Sequence, residues 1–183
     1  MTTYVAFLRG VNLGPHRNVA MPRLAELGRE LGYEDVWTWV NSGNLVLTTT
    51  KSVAEVEREV ADALEREHGT RIDVTVRSGD ELAALLEQNP FADGSPSRVT
   101  VAFLTGPAPE GVTGRLAEVA TANEPFLVAG REVWVHYADG LARSRLAVAF
   151  GTVVGVSATT RTLGTVTRIV TKIRGRSSTA RQG

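Results

Sequence analysis

No cysteine occurs in the chain, which removes disulfides, thiolate metal sites and thiol nucleophiles from its chemistry. Lysine is almost missing too. Lys51 and Lys172 stand against eighteen arginines, a ratio that a GC-rich genome produces as readily as selection does. Aromatic residues make up only 6%, and from Leu141 onward Phe150 is the sole one. A stacking platform for single-stranded nucleic acid is therefore poorly supported there. Nowhere does an apolar run approach the ~18 residues of a membrane span. The opening, Met1 to Gly10, lacks the basic leader and apolar stretch of a signal peptide. A cytoplasmic protein with no membrane partner is the expectation. His16, His68 and His136 show no metal-ligand spacing, and nothing in the sequence calls for a metal or a cofactor.

One further absence is local. The last 43 residues, Leu141 to Gly183, contain neither Asp nor Glu. They carry eight cations: Arg143, Arg145, Arg161, Arg168, Lys172, Arg174, Arg176 and Arg181. The whole chain balances 20 basic against 20 acidic side chains, so the first 140 residues hold 12 and 20. Such an asymmetry can mark an anion-binding segment. The overall composition, 43% hydrophobic and 22% charged over 183 residues, is that of a globular protein of one domain or two small ones.

Tyr4 to Leu8 reads as a buried strand, and Arg9 to Ala20, rich in Gly, Asn and Pro, as a loop. Pro22 suits the first turn of a helix. Leu24, Leu27 and Leu31 share its face, and Gly32 ends it. Val36 to Val40 and Leu45 to Leu47 flank the turn Asn41-Ser42-Gly43-Asn44 and predict a hairpin. Trp37 and Trp39 lie on one face of its first strand. Ser52 and Glu55 match a capping box before a helix with Val56, Val60 and Leu64 inward. Arg71 to Arg77 alternates as a half-buried strand, and Ser78 to Glu81 caps another helix. This β-α-β-β-α-β order is that of a ferredoxin-like sandwich.

After a linker from Asn89 to Ser97 the pattern restarts. Val99 to Leu104 reads as a strand and Gly114 to Ala122 as a helix. Phe126 to Val128 and Glu132 to Tyr137 form a hairpin. Leu141 to Val154 reads as helical, and Thr165 to Ile173 as a final helix. The predicted fold is α+β, with two related ferredoxin-like β-α-β-β-α-(β) halves: mainly antiparallel sheets with helices packed on one face. The first half spans 1–90 and the second, degenerate half 98–174, with 175–183 as a flexible tail. The second half is expected to end in a helix where the first has a strand. Element order, not residue identity, points to the duplication.

Three blocks carry a resemblance. The first is Arg9-Gly10-Val11-Asn12-Leu13-Gly14 with Ser42-Gly43-Asn44. The second is Asn89-Pro90-Phe91 with Val101 to Leu104. The third is Asp139-Gly140, Arg143-Ser144, Leu146, Thr160-Arg161 and Thr165-Val166. In that order they resemble the bacterial domain-of-unknown-function 1697 (DUF1697) family. The resemblance implies an α+β fold of two related halves and no established activity. The chain departs from the pattern where Arg145 replaces a usual Lys, and where Thr162 and Leu163 replace a usual Asn-Trp. If the family stacks a ring on that Trp, the contact is altered here.

The candidate ligand-binding residues are Arg9, Asn12, Asn18, Ser42, Asn44, Arg143, Ser144, Thr160 and Arg161. In the first loop, Gly10 and Gly14 let backbone approach a ligand, and a helix N-terminus favours an anion. Arg9, His16 and Arg17 add charge. The loop lacks the Gly-Lys-Ser/Thr ending of a P-loop. The plain alternative is a solvated turn whose arginine pairs with a carboxylate. Ser42 and Asn44 could bond a polar ligand, yet Asn-Ser-Gly-Asn is also what a tight turn requires. Ser42 does not fit a nucleophile elbow, because a strand follows it. Arg143 and Arg145, two apart, point ~200° apart if they share a continuous helix. His68 before Gly69 reads as a helix-end cation, and the acidic run Glu55 to Glu67 as a solvated face.

The expected function is a binding module for a nucleotide, a nucleic acid or another phosphorylated ligand. A second possibility is an enzyme acting on a small polar substrate at the interface of the halves. It is short of chemistry, since only His16 or Asp139 could serve as a general acid or base near the set. A third is a scaffold or dimerisation domain, because ferredoxin-like sheets have edges that can pair.

Overall fold

The computed structural model describes residues 1–12 and 18–180, with side chains described through 176. Its elements run in the order β1 (Thr2–Leu8), α1 (Met21–Glu30), β2 (Glu34–Thr38), β3 (Asn44–Thr49), α2 (Val53–His68), β4 (Val74–Ser78) and α3 (Gly79–Glu87). Then come β5 (Val99–Leu104), α4 (Val112–Val119), β6 (Phe126–Ala129), β7 (Glu132–His136), a 3-10 turn (Leu141–Arg143), α5 (Arg145–Val154), β8 (Ala158–Thr162) and α6 (Leu163–Ala180). The strands form two four-stranded antiparallel sheets, ordered β2-β3-β1-β4 and β6-β7-β5-β8. The fold is α+β, with two ferredoxin-like halves. No helix among the described residues is long and apolar enough to cross a membrane.

The chain divides into two compact units. One holds Met1–Leu85 and everything from Ile169 on; the other is Leu86–Arg168. In the first unit, Ala6, Leu8, Leu45, Leu47, Val74 and Val76 line one sheet face and bury Leu24, Leu27, Val56, Val60 and Leu64 of α1 and α2. The predicted capping box of α2 is complete: Ser52 accepts from the Glu55 N–H, and Glu55 accepts from the Ser52 N–H. Ser78 and Glu81 repeat that exchange at α3. The opposite sheet face, with Val5, Phe7, Val46, Thr75 and Arg77, is at most 3% exposed. In the second unit, Ala102, Leu104, Val133 and Val135 pack with Leu116 of α4 and Leu146 and Phe150 of α5.

The second half departs from expectation in its last strand. Ala158-Thr159-Thr160-Arg161-Thr162 forms β8, completing the β-α-β-β-α-β order that was expected to stop at a helix. No apolar residue larger than alanine occurs in β8, so it shows no alternation. It is held by its β-branched threonines and its pairing to β5. The two halves agree in detail. Val-Ala-Phe-Leu occurs at 5–8 in β1 and at 101–104 in β5. Thr75-Val76-Arg77-Ser78 in β4 corresponds to Thr159-Thr160-Arg161-Thr162 in β8. Val5 faces Arg77 as Val101 faces Arg161, and Ala6 faces Val76 as Ala102 faces Thr160. Even the defects match: the buried Thr75 and Thr159 hydroxyls both lack a hydrogen-bond partner.

Helix α6 continues through Ala180, past the position where a tail was expected to begin. Within the first unit its end packs on Trp37 of β2 and on Trp39 just beyond the strand. The Lys172 ammonium lies 4.5 Å from the Trp39 ring centroid, and the Arg176 guanidinium 5.0 Å from that of Trp37. The spacing follows from geometry. Four residues of helix rise about 6 Å, and two residues of strand about 6.7 Å. An i, i+4 pair of cations therefore meets an i, i+2 pair of indoles rung for rung.

Candidate functional site

In the first unit the loop and hairpin residues hold each other. Asn12 sits at φ 57°, and its carboxamide works like a short strand. Its Oδ1 accepts from the Val19 N–H (2.8 Å) while its Nδ2 donates to the Val19 carbonyl (3.0 Å). The same Nδ2 reaches the Asn41 carbonyl (3.0 Å). Asn44 is fully buried, and its Nδ2 donates to the Trp39 carbonyl (2.8 Å) and to the Ser42 hydroxyl (3.0 Å). The Leu8 N–H donates to the Gly43 carbonyl (2.8 Å). Gly43 has φ 71°, and a Cβ there would lie 2.5 Å from Val11 Cγ2. Asn12, Ser42 and Asn44 thus close this junction with their own polar groups. Arg9 is half exposed and pairs with Asp73 at 3.2 Å, and Asn18 is exposed. His16 and Arg17 lie outside the described residues.

In the second unit, Ser144 separates the 3-10 turn from α5 and takes an extended conformation (φ −86°, ψ 121°). Its Oγ accepts from the Ala147 N–H at 2.9 Å, an N-cap. Its hydroxyl hydrogen goes to Glu124. Glu124 is buried and also accepts from the Thr121 N–H and hydroxyl, both at 3.0 Å. Burial alone would raise the Glu124 carboxyl. The hydrogen bonds from Ser144 and Thr121 outweigh that and hold it below its ordinary value. The positive end of the α5 dipole favours the same ionised form.

Arg143 and Arg145 flank Ser144, and both are exposed. They do not share a helix, because α5 begins only at Arg145. The ~200° separation expected for a continuous helix therefore does not apply. Ser144 turns inward to Glu124, and the two guanidinium groups turn outward.

Thr160 is exposed on edge strand β8. Arg161 is buried, and burial pushes its guanidinium down to about 10. Its Nη1 donates to the Thr160 carbonyl at 2.9 Å. Arg77 does the same to the Val76 carbonyl, also at 2.9 Å. The Arg161 guanidinium therefore serves its own strand.

The acidic face of α2 is largely solvent-exposed, as expected, and its acids also pair with neighbouring groups of the first unit. Glu59 accepts from Tyr33 and Lys51, both at 2.7 Å. Glu67 pairs with Arg23 at 2.7 Å, and Asp62 and Glu65 with Arg71 at 3.2 and 2.9 Å. The residues absent from the candidate set are Glu124 and Thr121. Thr121 and Glu124 stand at capping-box spacing, but with no helical pattern after them.

A family model described as "Protein of unknown function (DUF1697)" matches residues 1–134. Among solved structures the chain is similar to the conserved bacterial protein SP0830 from Streptococcus pneumoniae. The identity is 21% and the TM-score 0.71, over 95% of this chain and 99% of that one. At that identity the likeness speaks for the fold alone. No curated protein matches.

Proposed function

The chain belongs to the DUF1697 family, and on that premise we propose that it is a binding module for an anionic ligand, a phosphorylated small molecule or a nucleic-acid backbone. One observation carries the reading: Arg143 and Arg145 are both exposed and flank the N-cap of a ten-residue helix. Two guanidinium forks beside the first, unbonded N–H groups of a helix form a phosphate-binding arrangement. No salt bridge to either arginine occurs among the described residues. Asn12, Ser42 and Asn44 support the first loop rather than the ligand. Glu124 is buried beside Ser144, where hydrogen bonds stabilise its charged form.

Fluorescence anisotropy with labelled single-stranded RNA, duplex DNA and a nucleotide triphosphate, titrated over a salt series, tests this. For duplex DNA each phosphate contact should add about −0.9 to the slope of log affinity against log salt. Arg143→Ala with Arg145→Ala should weaken binding and flatten that slope by about two contacts. The absence of salt-sensitive binding to all three probes overturns the proposal.

A further inference from the structure

Each ferredoxin-like sheet has two edges, and an open edge is a template for another strand. On three of the four edges here a side chain bonds at least one backbone group of the strand. In β4 the Val76 N–H donates to Glu57 Oε1 of α2 at 2.9 Å, and the Val76 carbonyl accepts from Arg77. In β8 the Thr160 carbonyl accepts from Arg161. In β2 the Val36 carbonyl accepts from Arg29 of α1, at a long 3.4 Å, and the strand is broken by a register shift between Glu34 and Trp37. The capped β4 and β8 groups are the outward ones. The Arg9 N–H bonds Asp73 and the Thr105 N–H bonds Ser157. The alternation of an antiparallel ladder then turns Val76 and Thr160 away from their partners.

The fourth edge, β6, carries no such cap among the described residues. The His136 N–H donates to the Pro125 carbonyl and the Ala138 N–H to the Asn123 carbonyl. The odd-numbered residues therefore bond β7, and the N–H and C=O groups of Phe126 and Val128 point outward. The segment Pro125-Phe126-Leu127-Val128-Ala129-Gly130 contains no charge, so it lacks the usual lysine or inward charge that blunts an edge. Leu127 is 43% exposed.

We propose that β6 is a pairing edge and that a second copy of this chain occupies it. A twofold axis perpendicular to the sheet, passing between two Leu127 side chains, brings Phe126 opposite Val128 of the partner on both sides. Both have outward groups, so this register makes four backbone hydrogen bonds. Every cross-strand pair is apolar: Leu127 on Leu127 on one face, Phe126 on Val128 on the other. Shifting the axis to Phe126 or Val128 makes fewer bonds. A chain of formal net charge zero imposes no long-range repulsion between copies. With so short a seam the dimer is weak and concentration-dependent, below the about 1,200 Å² of a standard interface.

Sedimentation velocity over a dilution series up to millimolar protein tests it, with Leu127→Lys, Leu127→Glu and their equimolar mixture. Wild type should self-associate reversibly. Each variant alone should weaken that association more than about tenfold, because like charges meet at the axis. The mixture should associate again as a one-to-one pair. Far-UV circular dichroism and thermal melts confirm that both variants remain folded. A wild type that stays monomeric at millimolar concentration overturns the proposal, and so does a Leu127→Lys protein that dimerises like wild type. Failure of the charge-swapped mixture to associate overturns the register.

Discussion

Ser144 serves two partners with one hydroxyl: it accepts from the α5 N-terminus and donates to a buried carboxylate. Ser144→Ala removes both, leaving a helix uncapped and Glu124 short of a donor. The expected loss is about 1–3 kcal/mol in urea unfolding at neutral pH. Glu124→Gln probes the charge itself. The Glu124 carboxyl lies below its ordinary 4.5 in the folded state. A group with a depressed folded pKa contributes stability above its unfolded value and loses it as pH falls through the folded one. The stability gap between wild type and Glu124→Gln should thus be full at pH 7 and should shrink on acidification below 4.5. A gap that stays constant between pH 7 and pH 3 would show that the charge contributes nothing.

At the scale of elements, local signals were legible where apolar period and capping coincide. Ser52 and Glu55 announced α2, Gly69 closed it, and Asn41 to Asn44 marked the first hairpin. What stayed hidden was structure held by polar side chains. β8 has threonines and a buried arginine where a strand usually shows alternating apolar residues, and only its correspondence with Thr75 to Ser78 reveals it. The target of the α6 cations was hidden for a similar reason. Charge counting directs them toward carboxylates, whereas Lys172 and Arg176 rest on indole faces 39 and 37. Each such contact is worth about 0.5–1 kcal/mol at a partly exposed site. Lys172→Ala with Arg176→Ala should therefore lower stability by about 1–2 kcal/mol and shift the tryptophan emission. Arg168→Ala on the same helix should stay within about 0.5 kcal/mol of wild type. Equal effects from the two variants would show that the pairing is not specific.

For the whole molecule, the acidic excess of the first 140 residues is partly met by cations close at hand. The acids of α2 are matched by Arg23, Lys51 and Arg71 within the first unit. The chain returns to that unit through α6, whose Ile169 and Val170 are 0% and 4% exposed. The first unit thus includes residues that are synthesised last. Burying an aliphatic side chain of that size contributes about 1.5–3 kcal/mol, so the pair represents about 3–6 kcal/mol before the cation–π contacts. Against a typical domain stability of about 5–15 kcal/mol, that is a large share. A chain ending at Arg168 should therefore melt far lower than wild type or populate a loosely packed first unit, with Trp37 and Trp39 emission shifted to the red. The second unit, whose core residues all precede Arg168, should keep Trp134 shielded. A Trp37→Phe/Trp39→Phe background, truncated in the same way, isolates Trp134 and separates the two readouts. If truncation leaves the melting temperature within a few degrees of wild type, the return of α6 is an accessory to the first unit and not part of its core.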